Sequence, residues 1–485
     1  MTRISPKISA SVACALLAGC AVGPNYQTPA APPAATGGFV SATDAAVTPQ
    51  TPPGQWWRLY QDPVLDGLVQ QALTENQDLK TAAANLAYAQ GVVSEARAGL
   101  FPTTNLTAGD SYGRSSTADL LASLYGKKPT PTWTSSVGFT AAYQVDLFGR
   151  VRRTLEAAHA SAEASRYAED AVRVTVASET TTAYVNACAY AAQAAVARHS
   201  EAIVKQAYDI TVAERKAGAA SDLDVDRQAT LLDQTRATIP TLDGQHRSAL
   251  FELAALIGKT PAEIPAAAAA CKTAPRIAQL LPVGDGEALL RRRPDVGEAE
   301  RQLAAATARI GVSAADLYPT ISLGGSVAGA GPNAVSLTST SGLSFGVGPM
   351  LTWTFPNISV ARAHVKESTA QAQAAMAGFD SAVLQALKET EQALTTYAGE
   401  LDRHAALTAA RDHAADALWL ANIQFKNGSA SELDLIQVET TAVAADQALA
   451  ASDQTLATDQ GAVFQALGGG WEDAPTVRPP AISRR

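Results

Sequence analysis

The sequence has little of what usually announces a chemical activity. Aromatic residues make up 6% of its 485 residues, and there are only four cysteines and six histidines. Beyond the N-terminus no apolar run approaches the roughly 20 residues that a membrane-spanning helix needs, which excludes helical insertion. Lys and Arg number 37 against 46 Asp and Glu, for a formal charge of −9. That balance argues against nucleic acid as a partner, because binding phosphate takes a basic face. The sequence has no phosphate-binding loop, no Gly-x-Ser-x-Gly elbow and no His-Glu-x-x-His. Glu156-x-x-His159 is half of a di-iron bundle signature without its other half, so it reads as a solvated helix face. Gly324-Gly325 and Gly329 fall in a strand–loop–strand pattern, which is the wrong context for a nucleotide loop. These absences describe a protein without a catalytic centre.

Two further absences are local. From Val151 to Ala217 there is neither glycine nor proline, and Val360 to Asn427 holds Gly378 and Gly399 but no proline. At 1.5 Å per residue each run makes a helix of roughly 100 Å. Helices of that length need lateral partners along their whole extent. Each run stops at a glycine, Gly218 or Gly428. A return helix follows behind Ser221 or Ser431, residues suited to N-capping, with Asp222 and Asp224 or Glu432 and Asp434 at its positive end. Pro240 with Gly244 predicts a kink in the first return helix.

What is present is said twice. The stretch Lys216-Ala217-Gly218-Ala219-Ala220-Ser221-Asp222-Leu223-Asp224-Val225 returns as Lys426-Asn427-Gly428-Ser429-Ala430-Ser431-Glu432-Leu433-Asp434-Leu435. Likewise Leu100-Phe101-Pro102-Thr103 returns as Leu317-Tyr318-Pro319-Thr320. Duplication on this scale predicts two copies of one unit, side by side and related by a pseudo-rotation. Each copy adds two strands to its helices. From Trp133 to Leu147 every second residue is apolar apart from Ser135, and Leu343 to Phe355 repeats the alternation. Period two predicts strands over 133–147 and 343–355 with one apolar and one wet face. Their partners precede them at 103–115 and 320–331. Alternating segments of about ten residues with Trp and Tyr among them fit a transmembrane β-barrel, although a soluble half-buried sheet gives the same pattern.

The N-terminus is a targeting segment. Arg3 and Lys7 precede the apolar stretch 8–17, and Leu17-Ala18-Gly19-Cys20 closes it. This looks like a bacterial lipobox, with 1–19 removed as a signal peptide and Cys20 acylated as the first residue. Ala21 in place of Asp implies sorting to the outer membrane. Cys14 leaves with the signal. Cys188 is expected to be a buried, inert thiol, and together with Cys271 it makes no disulfide framework. Residues 20–54, rich in Pro, Ala and Thr, read as an acylated, extended tether without a core. The folded body then runs as a first repeat at 55–260 with its long hairpin at 151–257, and a loose linker at 261–284. A second repeat follows at 285–470 with its hairpin at 360–467. The tail, 471–485, is expected to be disordered.

Two strands per repeat give four per chain. Four strands cannot enclose a lumen, and lipid does not tolerate open sheet edges. Single-chain barrels begin at about eight strands. If the apolar faces meet lipid, several chains must therefore share one barrel, and three would supply twelve strands.

The ordered motifs point to a family. They are Cys20 with Gly23-Pro24 and Tyr26, then Leu100-Phe101-Pro102, then Asp146-Leu147-Phe148-Gly149-Arg150. Arg293-Pro294-Asp295-Val296 with Ala299-Glu300, Ile310-Gly311, Leu317-Tyr318-Pro319 and the Gly218 and Gly428 turns complete the set. On these the sequence resembles a TolC-family outer membrane factor, of the lipoprotein branch that serves drug-efflux pumps. The resemblance implies an α+β membrane protein with an internal two-fold repeat. Its trimeric 12-stranded transmembrane β-barrel, four strands per chain, would be continuous with a long periplasmic α-helical barrel. The implied partners are two further copies of the chain, a periplasmic membrane-fusion adaptor, an inner-membrane RND-type pump and outer-membrane lipid. No cofactor is implied beyond the covalent lipid on Cys20.

The resemblance also assigns residues. The turns bearing Gly218, Ser221 and Leu223, and Gly428, Ser431 and Leu433, would meet the adaptor. Asp224 and Asp434 match the aperture, where a ring of acids favours cations. The family often places a second acid one turn further on; Gln437 stands there, which implies a weaker collar. The plain alternative is that these residues stop helices, cap them and complement the helix dipole, the last worth about 0.3–1 kcal/mol. Trp133 and Trp353 are expected at the lipid interface, and for Trp353 packing against the helix junction is equally open. Two rival functions remain: an exit duct for type I protein secretion, and a non-channel periplasmic lipoprotein scaffold.

Overall fold

The structure, a computed structural model, describes residues 21–481 apart from 31, 43–45, 115–119, 121–122, 127, 129, 341 and 357. Cys20 and the signal at 1–19 lie outside the described residues. In chain order the main elements are β1 (Val47–Thr48), α1 (Pro63–Glu75), α2 (Gln77–Ala98), β2 (Thr103–Gly113), β3 (Thr132–Val145), α3 (Arg150–Lys216) and α4 (Asp222–Leu256). They continue with β4 (Leu281–Pro282), α5 (Gly286–Arg292), α6 (Pro294–Ala315), β5 (Thr320–Gly331), β6 (Leu343–Thr352), α7 (Ile358–Lys426) and α8 (Glu432–Ala466). No helix among the described residues is long and apolar enough to cross a membrane. Two compact units result. One holds 21–28, Tyr88–Ala164 and Glu300–Gly378, and the other holds Pro29–Ala87, Ser165–Ala299 and 379–481.

In the first unit β2, β3, β5 and β6 form one antiparallel meander in that order. The register sets Leu106 opposite Phe139, Phe139 opposite Val327 and Val327 opposite Phe345. Because side chains alternate along a strand, this row of large apolar groups crosses all four strands on one face. The row is bare, with Leu106 72% and Phe345 82% exposed. One residue along, on the other face, the row reads Asn105, Thr140, Ser326 and Gly346. β3 ends where Asp146 turns back to accept the backbone N–H groups of Val151 (2.9 Å) and Arg152 (3.0 Å), which caps α3. β6 stops at Thr352, so Trp353 and Phe355 lie beyond the strand expected to contain them.

The segment 21–28 is fixed to this unit, contrary to the expectation of a tether. Val22 donates its N–H to the carbonyl of Phe148 at 3.1 Å. The buried Arg153 donates to the carbonyls of Val22 and Gly23 and, at 2.7 Å, to the Asn25 side chain. The Tyr26 hydroxyl donates to Glu300 at 2.6 Å. Gly23 adopts φ +90°, and a Cβ there would lie 2.6 Å from the Gly311 Cα. Only glycine permits both that backbone conformation and that approach.

The second unit is centred on Trp56 and Trp57, which are 0% and 2% exposed, with Phe464 stacked on Trp56 at 5.0 Å between ring centroids. Leu65, Leu73, Leu253 and Ile257 complete this core. Residues 32–42 and 46–54 join it as well: Phe39, Ala46 and Val47 are buried, and β1 pairs in parallel with β4. Arg292 donates to the carbonyls of Pro52 (2.9 Å) and Pro53 (3.0 Å), and Glu391 accepts the N–H groups of Val40 (2.7 Å) and Ser41 (2.8 Å). Proline-rich chain lacks helix and sheet hydrogen bonds of its own, so its carbonyls are free for partners such as Arg292.

Three more expectations are corrected in this unit. The linker is ordered, burying Ala268, Ile277, Leu281 and Val283, and Cys271 in it is disulfide-bonded to Cys188 of α3 with Cα atoms 5.0 Å apart. Counting two leftover thiols could not reveal that the linker folds back onto α3. The start of the tail is docked as well. Trp471 donates its indole N–H to the Arg292 carbonyl at 3.0 Å, and Glu472 pairs with Arg292 at 2.6 Å. α4 runs from Asp222 to Leu256 with Pro240 inside it.

Candidate functional site

The two hairpin turns, both in the second unit, are built alike. Gly218 (φ +82°) and Gly428 (φ +71°) end α3 and α7 in the left-handed region. Ala219 N–H reaches the carbonyl of Glu214 at 2.8 Å and Gly218 N–H that of Arg215 at 3.1 Å. The second turn repeats this with Ser429 to Gln424 at 2.9 Å and Gly428 to Phe425 at 2.9 Å. This paired closure of the last carbonyls is the Schellman motif. A Cβ at either glycine would meet nothing, so the conformation rather than space demands glycine.

The return helices start in capping boxes. Ser221 receives the Asp224 N–H at 3.3 Å, and Asp224 accepts the Ser221 hydroxyl at 2.6 Å and N–H at 3.0 Å. Ser431 receives the Asp434 N–H at 3.2 Å, and Asp434 accepts its hydroxyl at 2.6 Å and N–H at 3.2 Å. Hydrogen bonding to the serine holds both carboxyls below the usual aspartate range, so both stay ionised in mildly acidic solution. Leu223 and Leu433 are exposed, at 57% and 48%, and Asp434 and Gln437 are exposed beside them. Each turn therefore presents a glycine, an apolar side chain and a fixed negative charge.

The turns differ in their first acid. Asp222 points outward to Arg215 at 2.6 Å, whereas Glu432 turns inward to accept from Thr211 of α3, and burial pushes its carboxyl up. The aromatic expectations fall on the first unit. Trp133 packs on its cross-strand neighbour Tyr112 at 5.4 Å, at the sheet end away from the α2, α3, α6 and α7 junctions. Trp353 packs on Phe355 at 4.9 Å, at the opposite end, where β6 leads to α7.

The sequence profile of the family described as Outer membrane efflux protein matches residues 68–259 and 286–469. The chain belongs to that family. It is 30% identical over 480 residues to Nodulation protein T of Rhizobium leguminosarum bv. viciae, covering 98% of this chain and 95% of the relative. It is also 30% identical over 482 residues to the toluene efflux pump outer membrane protein TtgC of Pseudomonas putida, covering 96% and 95%. Among solved structures, the outer-membrane channel OprN superposes with a TM-score of 0.86 at 30% identity, covering 93% of this chain and all of that one. This efflux protein is thus an outer-membrane protein with a large periplasmic portion, and no enzyme.

Some notable residues of this efflux protein escape a reading of the sequence. Neither Glu432 nor Glu439 stands out there, except that Glu432 begins a helix, yet both are withdrawn from solvent and carry raised carboxyl pKa values. A signal for Glu439 does exist: it lies three residues after Ile436 and four before Val443, on an apolar helical stripe.

Proposed function

We propose that this chain is the outer-membrane exit channel of a tripartite efflux system, a passive tunnel that carries small molecules from a periplasmic adaptor and inner-membrane pump to the exterior. The observation that carries the reading is the bare four-stranded sheet. Among the described residues β2 and β6 each pair on one side only, and one face is a continuous apolar row. An uncovered apolar face with two open edges is completed by joining β6 of one copy to β2 of the next. Three copies give a 12-stranded barrel with its apolar face in lipid, and the duplicated long hairpins form the periplasmic tunnel. Trp133 and Trp353, with their aromatic neighbours, then sit at the two lipid interfaces. A lipid on Cys20 would be held close to the barrel by the Arg153 clamp on the residues that follow it. Nodulation protein T among the relatives keeps a secretion duct as the second reading.

In this assembly the turns at Gly218 and Gly428 form the periplasmic mouth and the adaptor contact, and three copies of Asp434, with Asp224 nearby, form an acidic collar. Asp434→Asn keeps an oxygen to accept from Ser431 and removes the charge. In planar bilayers under a salt gradient, the variant should lose several-fold in cation-over-anion permeability while keeping its trimer. Unchanged reversal potentials would take Asp434 out of the mouth.

A further inference from the structure

Gln228 of α4 and Glu439 of α8 meet in the seam between the two hairpins, at 1% and 4% exposure. Each lies one turn from a member of the buried cluster Val204, Leu231, Leu232 and Ile436. Gln228 hydrogen-bonds to the Glu439 carboxyl, yet the Gln228 Oε1 and the Glu439 Oε2 are both buried and have no hydrogen-bond partner among the described residues. An amide oxygen and a carboxylate oxygen are acceptors only, so two orphan acceptors within one pair oppose each other. A single proton on Glu439 resolves both. The acid O–H then donates to Gln228 Oε1, while the Gln228 N–H donates to the other carboxyl oxygen, closing a ring of two hydrogen bonds.

We propose that Glu439 holds a proton when the hairpins are packed, and that this shared proton is a latch tying α8 to α4 next to the mouth. The inference rests on the placing of the turns at the mouth. Its charged surroundings agree with it. Burial pushes the Glu439 carboxyl up, the Gln228 hydrogen bond to it lowers it, and the neighbouring Glu432 on α8 raises it again, with the net direction up. Glu432 itself faces Glu214 of α3 and Asp224 of α4, and Arg227 of α4 is 3.6 Å from Asp224. The charged groups named around Glu432 are thus the acids Glu214 and Asp224, and Arg227 beside Asp224 is the one base among them.

The sign follows from linkage. The packed seam raises the carboxyl pKa, so it binds the proton more tightly than the separated seam does. Its stabilisation is present below the ordinary glutamate range and is lost as pH rises through the raised value. Acid therefore closes the latch, and rising pH releases it.

The test uses the full-length protein reconstituted in lipid and titrated upward from below the ordinary glutamate range, about pH 4, to about pH 8. Difference infrared spectra should show a protonated-carboxyl band that disappears with rising pH and is reduced in Glu439→Gln. In bilayers the wild-type conductance should rise over the same interval. Glu439→Gln, whose amide donates at every pH, should stay low and flat, and Gln228→Leu should conduct already in acid. Asp459, whose carboxyl burial pushes up to about 6, contributes to the band in both proteins, so the readout is the wild-type minus Glu439→Gln difference: no band in that difference, or identical conductance–pH curves for the two proteins, overturns the proposal. The infrared signal reports the proton whether or not the turns form the mouth, whereas Asp434→Asn tests the mouth alone, so the two failures are distinguishable.

Discussion

Phe139→Arg should abolish insertion of the assembled protein into the outer membrane. Phe139 stands in the middle of the apolar row, between Leu106 and Val327. On the lipid face of a barrel an arginine at the bilayer midplane costs about 2–4 kcal/mol. Three copies in one trimer raise that to roughly 6–12 kcal/mol, comparable with the whole stability of a domain. Membrane fractionation and heat-resistant trimers on gels read the result. Thr140→Arg is the matched control. It changes the next residue of the same strand, which points to the opposite, uncharged face, so it should insert normally and shift ion preference towards anions. If both variants insert alike, the sheet does not meet lipid and the channel reading fails. If only Thr140→Arg is excluded, the two faces have been assigned the wrong way round.

The same strands show what a sequence makes legible. Alternation from Trp133 onward carries its own evidence, because period two leaves one side of a strand uniform whatever packs there. The Gly218 and Gly428 stops and the Ser221 and Ser431 caps are readable for a similar reason. Each acts on backbone groups within five residues, so no distant partner has to be known. The misreadings share the opposite property. Phe39, Val47 and Leu281 sit in stretches without periodicity, and their burial depends on chain more than 200 residues away. Arg153 looks in sequence like one more charge on a helix, but its guanidinium holds backbone carbonyls 130 positions earlier. Composition registers that a segment lacks regular structure, and it says nothing of whether that segment is docked. Glu439 is the intermediate case: its place on the stripe is local information, while its pairing with Gln228 requires knowing which helices are neighbours.

The disulfide yields the second large effect. Cys188 is fully buried in α3 and Cys271 lies in the linker, 83 positions later, so the bond closes a loop containing all of α4. In the chain-entropy treatment a cross-link over a loop of this length stabilises the fold by about 4–5 kcal/mol, less any relaxation of the native state. Cys188→Ala with Cys271→Ser should therefore lower the midpoint of denaturation of the helical portion by an amount well beyond a typical single substitution. The bond also has a specific mechanical consequence. The linker residues Ala268, Ile277 and Leu281 bury themselves in the core around Trp56, and β4 pins β1. With the cross-link gone, the linker is held by these contacts alone, so proteolysis should cut first between 261 and 280 and leave α4 intact. Reduction of the wild-type protein should reproduce the same cleavage pattern, whereas a reductant should leave the double variant unchanged. Equal denaturation midpoints for oxidised and reduced wild type would mean that packing alone holds the linker. An oxidising compartment such as the periplasm is where a bond of this kind persists, which places the helical portion on the same side of the inner membrane as the family assignment does.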